Sequence, residues 1–317
     1  CVPVMKNPVL QLSRLSAPGD QRLAEAFDLV FLKDQKDPQG FLKEQGHRFQ
    51  VAVTTAPVGA SANLMAALPN LKAVVCRGIG VDKVDLGYAK DHGIAVSSTP
   101  DVLTECVADL AMGLMIDTMR GLSASDRFVR QGHWPQGAYP LTSRVWGKRL
   151  GILGCGQIGQ AIAQRAQGFR MAIGYHNRRR RDDLDFEYFD SPVALANWAD
   201  VLMVVVTGGE QTEGLVNRAV LQALGPQGYL VNVARGSVID EPALVQALQD
   251  KTIAGAGLDV FVHEPRVPAE LMSLDNAVLL PHVGSGTHET RRAMEDLVFD
   301  NVESFFSTGR LITPVVA

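Results

Sequence analysis

The chain has 317 residues, 46% of them hydrophobic and 20% charged, and a formal net charge of -4. That length suits about two domains with substantial cores, the composition excludes a disordered or fibrous protein, and the slight acidity argues against a general affinity for nucleic acid. Cys1, Cys76, Cys106 and Cys155 are scattered, with no CxxC and no Cys/His cluster, so no metal site is expected and a reducing, cytoplasmic setting is. The start, CVPVMKNPVLQLSRL, lacks a basic head before an apolar block and does not read as a signal peptide; Cys1 in place of Met reads as a processed or trimmed start. The apolar run 201–206 is far shorter than the roughly 20 residues a bilayer requires, so no membrane association is expected.

In chain order, β-rich runs at 9–12, 28–32, 50–54, 72–76 and 94–97 alternate with helical stretches such as 61–67, which predicts a parallel sheet with helices on both faces. Past Ser98-Thr99-Pro100 a long apolar helix is expected over 101–120, stopped by Gly121 and followed by a polar, Gly- and Pro-containing segment to 148. The runs at 150–153, 171–175, 201–206, 229–234, 254–261 and 277–280 are almost continuously apolar, as strands at the centre of a doubly wound sheet are. A last helix over 287–308 carries Met294, Leu297, Val298, Val302, Phe305 and Phe306 on one stripe, and is expected to pack back on the first unit. The domains then read as 1–99 plus 286–317 and 100–285.

Gly154-Cys155-Gly156-Gln157-Ile158-Gly159 is GxGxxG between a predicted strand and a predicted helix, which points to a dinucleotide site. In an NAD site an acidic residue about 20 residues on would hold the ribose hydroxyls. Here that place reads Tyr175-His176-Asn177-Arg178-Arg179-Arg180-Arg181, with no carboxylate. Guanidinium groups suit the 2′-phosphate of NADPH, which a carboxylate would repel. Asn177, Arg178 and Arg179 are expected around that phosphate, with NADPH preferred and NADH admitted. Arg180 and Arg181 are expected to point to water beside the following acids, and a plain solvated turn is the alternative for the whole run.

Three later strand ends carry polar residues where ligands bind in open α/β sheets: Arg235 in VNVARGSVIDE, Asp259 and Glu264 in GLDVFVHEP, and His282 in LLPHVGSGT. With LPNLKAVVCRGIGVDKVDL, STPDVLTECVADLAMGLM and SDRFVRQGHW, these motifs closely resemble the D-isomer-specific 2-hydroxyacid dehydrogenases, in particular their glyoxylate/hydroxypyruvate and hydroxyphenylpyruvate reductases. The resemblance runs from about residue 50. It implies a flavodoxin-like substrate domain and a Rossmann cofactor domain with a cleft between them, and a homodimer.

It also implies roles. Arg235 would bind the substrate carboxylate and keto oxygen, His282 would donate the proton, and Glu264 would pair with His282. Backbone N–H groups of Ile79 and Gly80 would take the substrate carboxylate. Thr104 and Asp259 would contact the nicotinamide end, and Thr212, Val233, Ala234 and Gly284 would also bind the cofactor. Trp134 would reach toward a partner subunit or pack at the interface. Two departures stand out: Arg77, where relatives often carry an apolar or aromatic residue, and the loop Thr207-Gly208-Gly209-Glu210-Gln211-Thr212.

The chemistry needs such residues. Hydride transfer to C2 of a 2-keto acid builds negative charge on the keto oxygen, so a cation and a proton donor must face it. An imidazolium does both, and a carboxylate neighbour favours its charged form and fixes its tautomer. His133, His176, His263 and His288 lack such a context. The expected activity is NADPH-dependent reduction of glyoxylate and hydroxypyruvate to D-2-hydroxy acids. Bulkier aryl pyruvates or phosphite are the enzymatic alternatives, and a corepressor-like binding protein is the alternative of another class.

Overall fold

Strands in this chain arise where β-branched and aliphatic residues run uninterrupted, because both faces of a parallel sheet are covered. The computed structural model describes residues 6–316, which leaves Cys1 outside the described residues. Its contacts divide the chain into two units, one made of the segments up to Leu103 and from Thr287 onward, the other Thr104–Gly286.

In the first unit β1 (Pro8–Gln11), β2 (Asp28–Phe31), β3 (Val51–Thr55), β4 (Ala73–Arg77) and β5 (Ala95–Ser97) pair in parallel in the order β5-β4-β3-β1-β2. This is the 2-1-3-4-5 order of a doubly wound sheet. Helices α1 (Ala17–Ala26), α2 (Pro38–Gln45), α3 (Ala62–Ala66) and α4 (Leu86–Asp91) connect the strands. The C-terminal helix His288–Thr308 packs on β4, and the strand Pro314–Val316 pairs antiparallel with β5. That antiparallel edge departs from the purely parallel sheet expected; three residues carry too little pattern to announce a strand. The sheet has one core on each face, with Val9, Val51, Val53, Ala73 and Val75 turned toward α1 and the C-terminal helix.

The second unit opens with α5 (Thr104–Arg120), three residues later than expected, because Asp101 takes a positive φ of 67° and residues 101–103 form a turn. Gly121 does stop α5, at φ 61°, but it also starts α6 (Leu122–Arg130), a helix inside the stretch read as an irregular polar segment. The sheet comprises β6 (Arg149–Leu153), β7 (Ala172–His176), β8 (Glu187–Tyr188), β9 (Val201–Val204), β10 (Tyr229–Asn232), β11 (Gly255–Leu258) and β12 (Ala277–Leu279). All pairs are parallel, in the order β12-β11-β10-β9-β6-β7-β8. The order reverses between β6 and β9, the switch point where such sheets bind ligands. Helix α7 (Gln157–Gly168) leaves β6 at that point and packs against α5. No helix among the described residues is long and apolar enough to cross a membrane.

Candidate active site

The glycine loop joins β6 to α7, and each of its glycines has its own reason. Gly154 has φ 100°, and a Cβ there would lie 2.7 Å from Val206 N. A Cβ on Gly159 would lie 2.7 Å from Gly154 O, so that glycine lets the helix approach the strand end. At Gly156 the conformation is extended and a Cβ would meet nothing within 4 Å; that space is left for a ligand. Gly156 caps α7 without a side chain, and the N-terminus of a helix such as α7 favours an anion.

Beside the loop lies a cleft of about 990 Å³ walled by the loop itself, by Asn177, Arg178, Arg179 and Arg181 after β7, and by residues 205–212 after β9. Arg178 donates to Gln211 Oε1 across it. Asn177 accepts from Cys155 N at 2.7 Å through Oδ1, so its amide fixes the glycine loop to the end of β7. Arg180 is exposed, and Arg181 stands beside a following acid as expected but is only partly open to water. It lines the cleft, donates to Cys155 O at 3.2 Å and pairs with Asp183. Tyr175, fully buried, accounts for this: its hydroxyl donates to Arg181 O and accepts from Arg181 N, both at 3.0 Å, which turns the chain inward. An aromatic hydroxyl six residues upstream gave no sequence signal for that turn. Burial pushes the Cys155 thiol up to about 11 against the pull of Arg181, so it is an inert packing group. Thr212 lines the cleft, yet its hydroxyl donates within its own loop, to Thr207 O at 2.7 Å.

The second cluster stands at the carboxyl ends of β10, β11 and β12. Buried Asn232 shapes the turn of Val233, Ala234 and Arg235, accepting from Ala234 N and donating to Arg235 O, both at 3.0 Å. Nothing in its strand pattern distinguished this asparagine beforehand. A Cβ on Gly236 would come within 2.0 Å of Phe261 C, so this glycine lets the β10 and β11 loops touch.

Glu264 accepts from Phe261 N at 3.0 Å and meets His282 Nδ1 at 2.7 Å. Burial pushes its carboxyl up, but the bonds from His282 and Phe261 and the charges of His282 and Arg235 outweigh this and hold it below its usual range. His282 has φ 55°, a conformation uncommon for a side chain of this size. Asp259, 1% exposed, maintains it: its backbone oxygen accepts from His282 N at 2.9 Å, and its carboxylate accepts from Val283 N and Gly284 N, each at 2.8 Å. Burial raises the Asp259 carboxyl despite those two donors. The expected cofactor residues Asp259 and Gly284 are thus bonded to each other. Thr104, at the start of α5, has a buried hydroxyl with no partner, an atom that suits a carboxamide.

The open space at Gly156, the start of α7, the arginines after β7 and the orphan hydroxyl of Thr104 fit a nicotinamide dinucleotide. Of the other expected site residues, Ile79 and Gly80 follow β4 in the first unit, and Trp134 is 66% exposed.

Residues 112–284 match a family model described as D-isomer specific 2-hydroxyacid dehydrogenase, NAD binding domain. The chain is 45% identical to glyoxylate/hydroxypyruvate reductase A of Arabidopsis thaliana over 308 residues, 97% of this chain and 98% of that one. It is 44% identical to hydroxyphenylpyruvate reductase of Plectranthus scutellarioides over 97% and 98% of the two chains. A crystal structure of an NADPH-dependent glyoxylate/hydroxypyruvate reductase from Sinorhizobium meliloti, in complex with NADP and malonate, superposes with a TM-score of 0.92 at 43% identity, covering 98% of this chain and 97% of that one.

Proposed function

The chain belongs to the D-isomer-specific 2-hydroxyacid dehydrogenases, and from that premise we propose that it uses NADPH to reduce small 2-keto acids, glyoxylate and hydroxypyruvate above all, to D-2-hydroxy acids. The observation that carries the reading is the His282–Glu264 pair beside Arg235 at adjoining strand ends, in the same unit as an arginine-walled dinucleotide cleft. Bound NADPH supplies the hydride.

Everything else falls to side chains and backbone of this protein. Arg235 holds the substrate's carboxylate and keto oxygen, and the N–H groups of Ile79 and Gly80 receive the carboxylate. Glu264 engages Nδ1 of His282, which leaves Nε2 to carry the proton that the keto oxygen takes up. Arg178 and Arg179 face the 2′-phosphate, with Arg181 as a fixed third wall of the cleft.

A homodimer belongs to the same reading. The exposed Leu122, Val129, Trp134, Leu141 and Trp146, all between the end of α5 and the start of β6, support it. So does a cytoplasmic location, with Cys76, Cys106 and Cys155 present as thiols.

The test follows the loss of NADPH absorbance with glyoxylate, hydroxypyruvate and hydroxyphenylpyruvate in parallel, repeated with NADH. Faster turnover of the two small acids, and with NADPH, is the expected result. No oxidation with any keto acid would overturn the proposal in favour of a nucleotide-binding regulator.

A further inference from the structure

On the face of the first sheet that meets α1 and the C-terminal helix, four neighbouring strands carry Val9, Val53, Val75 and Ala95 in the core. Side chains two residues apart share a face. The next positions on that face are Gln11, Thr55, Arg77 and Ser97, so the apolar layer ends at the carboxyl edge in a polar row. Glu295 of the C-terminal helix, 7% exposed, covers this row. Its Oε1 accepts from Arg77 at 2.9 Å and from Ser16 N at 2.7 Å, and its Oε2 accepts from the Ser16 hydroxyl. Gly19 leaves room for it, since a Cβ there would stand 2.5 Å from Oε2.

This arrangement is not the one that maximises stability. Arg77 Nε, Gln11 Oε1 and Ser97 Oγ are all buried with no partner. Orphaned polar atoms destabilise, and a buried ion pair commonly contributes no more than apolar packing of equal volume.

Arg77 is also the residue from which the chain enters Gly78-Ile79-Gly80. Gly78, at φ 135°, is held by Thr99 through two bonds, Gly78 N to Thr99 Oγ1 at 3.0 Å and Thr99 N to Gly78 O at 2.9 Å. Ile79 is exposed, and Arg77 ties this segment to the C-terminal helix.

We infer that Arg77 and Glu295 form a positioning pair, which holds the loop so that the N–H groups of Ile79 and Gly80 converge on the substrate carboxylate. The inference rests on the carboxylate role given above to that loop. Glu295 acts through Arg77 and touches no substrate. The pair sets carboxylate affinity without entering the chemical step, and tethers the loop to two elements, α1 and the C-terminal helix.

The full-length Arg77→Met, Arg77→Lys and Glu295→Gln variants test this, by kcat and KM for glyoxylate, inhibition by oxamate as an unreactive carboxylate, NADPH affinity by fluorescence, and Tm. Arg77→Met and Glu295→Gln are expected to raise KM and the oxamate inhibition constant together by roughly tenfold. NADPH affinity and kcat should stay near the parent values, and Arg77→Lys should recover part of the loss. A lowered Tm with unchanged KM and oxamate binding would leave the pair a structural one and overturn the inference. Ile79→Pro, which removes one N–H, separates the two claims. If it leaves KM unchanged, the carboxylate role of the loop itself is wrong; if it raises KM while Arg77→Met does not, the positioning role alone is wrong.

Discussion

His282, the proposed proton donor, has its backbone held in a costly conformation by Asp259 and its ring oriented by Glu264. His282→Ala should lower kcat by about 10²- to 10⁴-fold, the usual contribution of a positioned acid, while NADPH binding measured by fluorescence stays unchanged. Near-normal turnover would remove His282 from the mechanism. Glu264 adds a pH dependence whose sign follows from its lowered pKa. The ionised carboxylate stabilises the fold above its ordinary value of 4.5, and that stabilisation is lost as pH falls through the lowered one. The Tm advantage of the parent over Glu264→Gln should therefore be largest near neutrality and shrink on acidification below 4.5. A gap that widened in acid would contradict the assigned pair. The contact between Glu264 and His282 could be expected beforehand because their motifs come as a set. The work of Asn232 and Tyr175 could not, since each acts on backbone that only the folded chain brings near it.

Element boundaries were the least legible feature, and the reasons are local. Helix α7 is bracketed by glycines, whereas the strand expected to reach 206 ends at Val204: Val205 and Val206 are still apolar but already belong to the cleft wall. Helix α6 was missed because it is short and Gly121, read as a stop, serves as its N-cap as well. Within the glycine loop, two substitutions should separate folding from binding. Gly156→Val places its side chain where no protein atom lies, so unfolding free energy should move by no more than ~0.5 kcal/mol. NADPH affinity should nevertheless fall roughly a hundredfold, as loss of about 3 kcal/mol of phosphate contacts implies. Gly154→Ala must adopt φ 100° against Val206 and should lose ~1–3 kcal/mol of stability. Denaturant titration and cofactor titration of the two variants check both statements; equal stability losses would mean that the space at Gly156 is not a ligand space.

Two units with separate cores invite a calorimetric prediction. NADPH at about a hundredfold its Kd adds ~2.7 kcal/mol to the unit that binds it, which is about 5–10 °C for a domain of this size. Scanning calorimetry should show the transition of Thr104–Gly286 rising by that amount while the other moves little. A single transition that shifts as a whole would show the units unfolding together. The division itself has a further consequence, for synthesis. Ser16 and Glu295 meet across 279 residues, and an edge strand and a packing helix of the first sheet are translated only after all of Thr104–Gly286. On the ribosome the inserted unit can finish while one face of its host's five strands is covered by α1 alone, and that interval is when exposed apolar surface invites aggregation.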